Sequence, residues 1–207
     1  MQAAEGYRFS EDWFSNHIPS WNRILERIRP GRVLEIGCFE GRSTSFLIEA
    51  CSQFGPLALC CVDTWGGSTD LSPERMTGVE RRFDDNVELA VRQAAAPVHV
   101  TKMKVPSRMA LATLISTGSE PFDLVYVDGS HTAPDVLLDA VLAFQLVRVG
   151  GVLIFDDYLW STEPPMYADP LNTPKLAIDT FTTIYARMVR VLPEFPNAQC
   201  YVEKIAA

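Results

Sequence analysis

The chain has 207 residues, 47% of them hydrophobic, and a formal charge of −8 at pH 7. That length suits a single domain, and that apolar content supports a full core in place of disorder. A negative surface repels a phosphate backbone, so a nucleic-acid partner is disfavoured. No apolar run reaches the roughly 20 residues of a membrane helix. The N-terminus carries Glu5, Arg8, Glu11 and Asp12 where a signal peptide would be apolar. Cys38, Cys51, Cys60, Cys61 and Cys200 form no CxxC pair. They read as reduced, packed thiols, and the expected location is cytoplasmic.

In chain order, residues 1–30 read as an N-terminal helical arm. Trp13, His17, Ile18, Trp21, Ile24, Leu25 and Ile28 recur at helical spacing, with an interruption at Pro19 and a turn at Pro30-Gly31. Short apolar runs then alternate with longer amphipathic ones, the pattern of βαβ units and a mainly parallel, doubly wound sheet. Strands are expected at Val33–Gly37, Ala58–Thr64, Val98–Lys102, Asp123–Asp128 and Val152–Asp156. Helices are expected near Ser43–Ser52, Pro73–Ala95, Ser107–Ser116 and Pro134–Val147. Ser72-Pro73-Glu74 offers a hydroxyl cap, a proline and an acid for a helix start. Thr173-Pro174 opens a last helix to Met188, before short strands at Val189–Leu192 and Cys200–Ile205. Two long connections, Trp65 to Arg82 and Tyr158 to Thr173, have the length of lids or binding loops, or of variable surface.

The first strand ends Leu34-Glu35-Ile36-Gly37-Cys38-Phe39-Glu40-Gly41. Gly37 and Gly41 permit the tight turn that carries a nucleotide-like cofactor at the C-terminal edge of such a sheet. The second strand ends Asp63-Thr64-Trp65, with Asp63 26 residues after Gly37. An acid there accepts both hydroxyls of a ribose, and Trp65 is placed to stack on an adenine. The bland alternatives are a loop-capping acid and a core tryptophan. A dinucleotide site prefers glycine where Phe39 stands, and Glu40 would repel a pyrophosphate. A cationic cofactor without phosphate suits this loop better, which sets an NAD-binding oxidoreductase in second place. Asp128 and the Asp156-Asp157 pair end neighbouring strands. Acids brought together there share a proton or bind a hard cation such as Mg²⁺ or Ca²⁺, unless some of them only cap helices.

Across Leu34 to Thr44, Val62 to Trp65, Asp128-Gly129-Ser130-His131, Gly150-Gly151 and Asp156-Asp157, the chain resembles class I S-adenosylmethionine (SAM)-dependent methyltransferases. Within them it looks like the macrocin-type natural-product O-methyltransferases, with catechol and caffeoyl-CoA O-methyltransferases more distant. The resemblance implies a Rossmann-like α/β fold in a single domain over residues 31–207. Its seven-stranded sheet runs in the order 3-2-1-4-5-7-6 with strand 7 antiparallel, and the arm forms part of the substrate cover. It implies SAM contacts from Glu35, Gly37, Cys38, Gly41, Ser43, Asp63, Thr64, Trp65, Ser107 and Asp128. It implies Mg²⁺ ligands at Asp128, Asp156 and Asp157. His131 stands where catechol-type relatives have a lysine base, and histidine is able to do that work near neutral pH; its alternative role is to cap the next helix. The expected reaction is methyl transfer to the hydroxyl of a small molecule, with a homodimer plausible from the arm. Metal-independent transfer and a non-catalytic binding module are the other readings.

Overall fold

The computed structural model describes residues 6–67, 72–164 and 166–207. Seven strands are present: β1 (Arg32–Ile36), β2 (Leu57–Asp63), β3 (Val98–Lys104), β4 (Phe122–Val127), β5 (Val147–Phe155), β6 (Val189–Val191) and β7 (Cys200–Lys204). They form one sheet in the order β3-β2-β1-β4-β5-β7-β6. β1 to β5 run parallel, and β7 is antiparallel to both β5 and β6. Six α-helices cover the sheet: α1 (Ile18–Ile28), α2 (Arg42–Cys51), α3 (Val79–Gln93), α4 (Ser107–Ser116), α5 (Ala133–Leu146) and α6 (Pro174–Ile184).

Because successive strand side chains point to opposite faces, a strand buried on both sides must be apolar throughout. Val33 and Leu34, Leu124 and Val125, and Ile154 and Leu153 divide in this way between two cores. One core packs Trp21, Leu25, Leu47 and Phe83 beneath α1 to α3. The other packs Leu111, Ala140, Phe144 and Phe181 beneath α4 to α6. All five cysteines are free and buried, as small apolar groups should be. Among the described residues no helix is long and apolar enough to cross a membrane.

Three expected elements shift. The arm is not helical throughout: residues 6–14 are irregular, and α1 begins at Ile18 with Pro19 in its first turn. Proline lacks the N–H that a first turn leaves unused, so Pro19 opens the helix instead of interrupting it. Helix α3 begins at Val79, six residues after the expected Pro73, because Gly78 takes a left-handed conformation (φ +73°) and the residues before it form turns. Helix α6 stops at Ile184 instead of Met188. Met1 to Glu5, Ser68 to Leu71 and Pro165 lie outside the described residues.

The sheet order reverses between β1 and β4, which opens a crevice at the carboxyl ends of the strands. Hydrogen bonds prolong the ladder into that edge. Gly37 N–H donates to Val62 O (2.9 Å), Asp128 N–H to Ile36 O (2.8 Å) and Asp156 N–H to Val127 O (2.9 Å). The chain therefore sets Gly37, Asp128 and Asp156 side by side on one rim.

Candidate active site

The glycine loop is shaped by contact with β4 and by Asp63. Gly37 has φ +83°, and a Cβ there would lie 1.9 Å from the Asp128 carbonyl oxygen. Asp63 Oδ2 accepts from the N–H groups of Cys38 (2.8 Å) and Phe39 (3.0 Å), and Oδ1 accepts from Trp65 N–H (2.7 Å). A carboxylate offers about four acceptor positions. Asp63 thus spends two of these positions on the glycine loop and a third on Trp65 at its own strand end.

Glu35 lies in register between Cys61 and Tyr126 and is 0% exposed. Its carboxylate accepts from Ser43 Oγ and from Thr44 Oγ1 (2.5 Å). Burial pushes its pKa up to about 7, against the pull of those hydroxyls. Glu40, 1% exposed, pairs with Arg82 (2.5 Å) and accepts from Ser10 Oγ (2.7 Å). Its charge is balanced there, so the expected repulsion of a pyrophosphate does not hold. Its structural work is to tie the arm to the loop. Asn86 reinforces that tie by donating to Arg8 O and Glu40 O (2.9 Å each).

The loop and the rim open into one cavity of about 1190 Å³. Gly37, Cys38, Ser43, Asp63, Thr64 and Ser107 line one part of it; Asp128, His131, Asp156 and Asp157 line another. Three expected cofactor residues do not line it. Glu35 lies behind Ser43, and Gly41 (φ +77°) packs on the Phe83 ring. Trp65 is a core residue: φ +49° turns it back onto Phe83 (ring centroids 4.8 Å apart), beneath the Lys102 ammonium and donating Nε1–H to Phe39 O (3.0 Å). It does not offer a face for an adenine. Ser107, at the start of α4, hydrogen-bonds Asp139, whose burial raises its carboxyl to about 6.

At the rim, the Tyr126 hydroxyl stands between Asp128 Oδ2 (3.0 Å) and Asp156 Oδ2. Gln199 Nε2 also donates to Asp156 Oδ2 (3.1 Å), and Asp157 N–H donates to Oδ1 (2.8 Å). Burial and the neighbouring carboxylates hold Asp128 well above the usual carboxyl range, and Asp156 above it too. Asp157 has φ +55°, which turns its carboxylate to His131 Nε2 (2.8 Å). The His131 ring lies 4.1 Å from that of Trp160.

Asp128, His131 and Asp157 each bring one ligand atom within 4.8 Å of the others. Two of the three aspartates expected as metal ligands are in this group. Asp156 is the buried, hydrogen-bonded member, and His131 takes its place in the group. A cation relieves carboxyls crowded in this way, and Asp128 and Asp157 offer it hard oxygen ligands, with His131 held on Asp157. A second group, Glu35, Cys38 and Cys61, is equally close, but burial raises the Cys38 thiol well above its ordinary value.

Tyr126 and Gln199 went unread in the sequence. Tyr126 was accessible to reasoning, since positions i and i+2 on a strand share a face and Asp128 follows it by two. His17 lines the cavity near Asp156. Trp13 lines the wall and packs on Phe39 (5.2 Å). Trp21 of α1 is fully buried in the core. Gln199 carries no sequence signal.

A family model described as a methyltransferase domain matches residues 34–158. Tapetum-specific methyltransferase 1 of Arabidopsis thaliana is 25% identical over 137 residues, 66% of this chain and 51% of its own length. The chain therefore spans about half the length of that curated relative. Among solved structures, the O-methyltransferase TomG of Streptomyces achromogenes, involved in tomaymycin synthesis and solved with SAM, has a TM-score of 0.64 at 18% identity, covering 94% of this chain and 82% of its own. MycE methyltransferase of the mycinamycin biosynthetic pathway, solved with Mg, S-adenosylhomocysteine (SAH) and mycinamycin VI, has a TM-score of 0.60 at 17% identity, covering 95% of this chain and 51% of its own. At these identities the structural likeness is one of fold.

Proposed function

The chain belongs to the methyltransferase domain family, and on that premise we propose that it transfers a methyl group from SAM to a hydroxyl oxygen of a small molecule, assisted by Mg²⁺ at the rim. The observation that carries this reading is the single cavity joining the glycine loop to the carboxylates. Its volume, about 1190 Å³, exceeds the ~300–1,000 Å³ usual for one small ligand and suits two side by side. TomG was solved with SAM, and MycE with Mg and SAH.

SAM supplies an electrophilic methyl on a sulfonium, and a divalent ion supplies acidity to a coordinated hydroxyl. The chain's own residues do the rest. Asp63 fixes the Cys38 and Phe39 amides and keeps acceptor capacity for a ribose hydroxyl. Asp128 and Asp157 would hold the ion, with Asp156 behind them. His131 accepts the acceptor's proton. With Nε2–H donated to Asp157, Nδ1 is the nitrogen that holds the lone pair. Trp13, His17 and Trp160 wall the acceptor side and exclude water. In this reading residues 1–30 are the cover and 31–207 the methyltransferase domain.

A metal-independent reaction is the second reading, favoured by the His131–Asp157 pair, which orients the base without an ion. Two measurements test these readings. SAH at 100 times its Kd should stabilise the fold by about 2.7 kcal/mol, roughly 5–10 °C in Tm, while NAD does nothing. Stabilisation by NAD alone would refute methyl transfer. Chelation should abolish turnover, and Mg²⁺ should restore it; turnover indifferent to chelator supports the second reading.

A further inference from the structure

Gln199 lies just before β7, far in sequence from every other rim residue, and is 2% exposed. Three of the four hydrogen-bonding positions of its amide are engaged. Oε1 accepts from the indole N–H of Trp21 (2.9 Å) and from the Tyr201 hydroxyl (2.7 Å), and Nε2 donates to Asp156 Oδ2 (3.1 Å). An indole N–H only donates, so Oε1 must face Trp21, and that leaves the donor end toward Asp156. Helix α1 therefore dictates which way the amide points, and the amide dictates where Asp156 points. The Trp21 ring also stands edge-on to Tyr126 (4.8 Å, 82°), whose hydroxyl reaches both Asp156 and Asp128. Asp156 Oδ2 thus receives two side-chain donors, and Oδ1 accepts from the N–H of Asp157, whose own carboxylate pairs with His131.

We propose that Gln199, held by Trp21, is a positioning residue for the carboxylate rim: it locks Asp156 so that Asp128 and Asp157 present their oxygens for metal binding. The assignment rests on the metal-assisted reading above. Neither residue touches the cavity's ligands, and both act through Asp156. Outer hydrogen bonds of this kind set the orientation of metal-binding carboxylates, and their loss commonly costs 10–100-fold in metal affinity.

The test uses Mn²⁺ as a spectroscopic probe, titrated by electron paramagnetic resonance into the full chain saturated with SAH. SAH affinity is measured separately by calorimetry. Gln199→Leu removes the donor to Asp156. Trp21→Phe keeps an aromatic ring in the core, smaller than the indole, and removes the N–H that orients the amide. Both are expected to weaken Mn²⁺ binding, Gln199→Leu by 10–100-fold and Trp21→Phe by less, with SAH affinity within twofold of the wild type. A merely structural role would lower both affinities together, or neither. Mn²⁺ affinity unchanged in the variants, or lost in parallel with SAH affinity, overturns the proposal. If Gln199→Leu does not fold, Trp21→Phe decides alone. A wild type that binds SAH but no Mn²⁺ overturns this assignment together with the metal, leaving methyl transfer standing. A wild type that binds no SAH overturns methyl transfer itself.

Discussion

Glu35→Gln is expected to stabilise the protein above neutral pH and to leave it nearly unchanged in acid. Glu35 is sealed from water, and its carboxyl titrates near 7 in the fold against 4.5 when free. The folded state therefore holds a proton that the unfolded chain releases between those values. Stability falls as pH rises through that window, and below it there is no penalty. Each pH unit of the window is worth about 1.4 kcal/mol, so the full loss is about 3 kcal/mol, most of it between pH 5 and pH 8. Glutamine has the same shape and no charge. Its oxygen keeps one of the bonds from Ser43 and Thr44, and the other hydroxyl can turn to accept from the amide. The assay is urea unfolding of wild type and variant at several pH values between 5 and 8. The stability difference should grow by about 2–3 kcal/mol in favour of glutamine across that range. A difference that does not vary with pH would show that Glu35 does not change protonation there, and would refute the reasoning.

Gly37→Ala should be among the most damaging small substitutions. Its methyl meets the Asp128 carbonyl, and the left-handed backbone adds about 1–2 kcal/mol. A loss of at least about 2 kcal/mol in urea unfolding is expected, and an unchanged midpoint would contradict the contact. Asp63→Asn presents one acceptor oxygen where two now hold three amides. SAH affinity should drop at least about tenfold by calorimetry, the worth of one charged hydrogen bond; equal affinity would remove Asp63 from the cofactor site. His131→Gln should lower the rate of SAH formation during turnover by about 10²–10⁴-fold, with SAH affinity preserved. Near-normal turnover would reassign the proton acceptor.

The sheet was legible because β1, β2, β4 and β5 are buried on both faces, which demands unbroken apolar runs that few other structures produce. The rim was legible because its acids end those runs. The remainder depends on directions that spacing does not encode. Trp65 follows Asp63 in the right place for a cofactor, but a positive φ sends the ring into the core. Asp156 and Asp157 are adjacent and equivalent in the sequence; a hydrogen-bonded amide from 43 residues later separates them into a buried acid and a presented one. Glu40 read as a charge facing a ligand, and the partner that neutralises it, Arg82, comes from a helix whose start the sequence misplaced.

Glu40 has one further consequence. Its carboxylate joins Ser10 of the arm to Arg82 of α3 from within the glycine loop itself. Three segments distant in sequence thus meet at one carboxylate, which ties the glycine loop to the arm that lines the cavity wall. A molecule entering against that wall finds it already assembled, and association sacrifices little conformational freedom there.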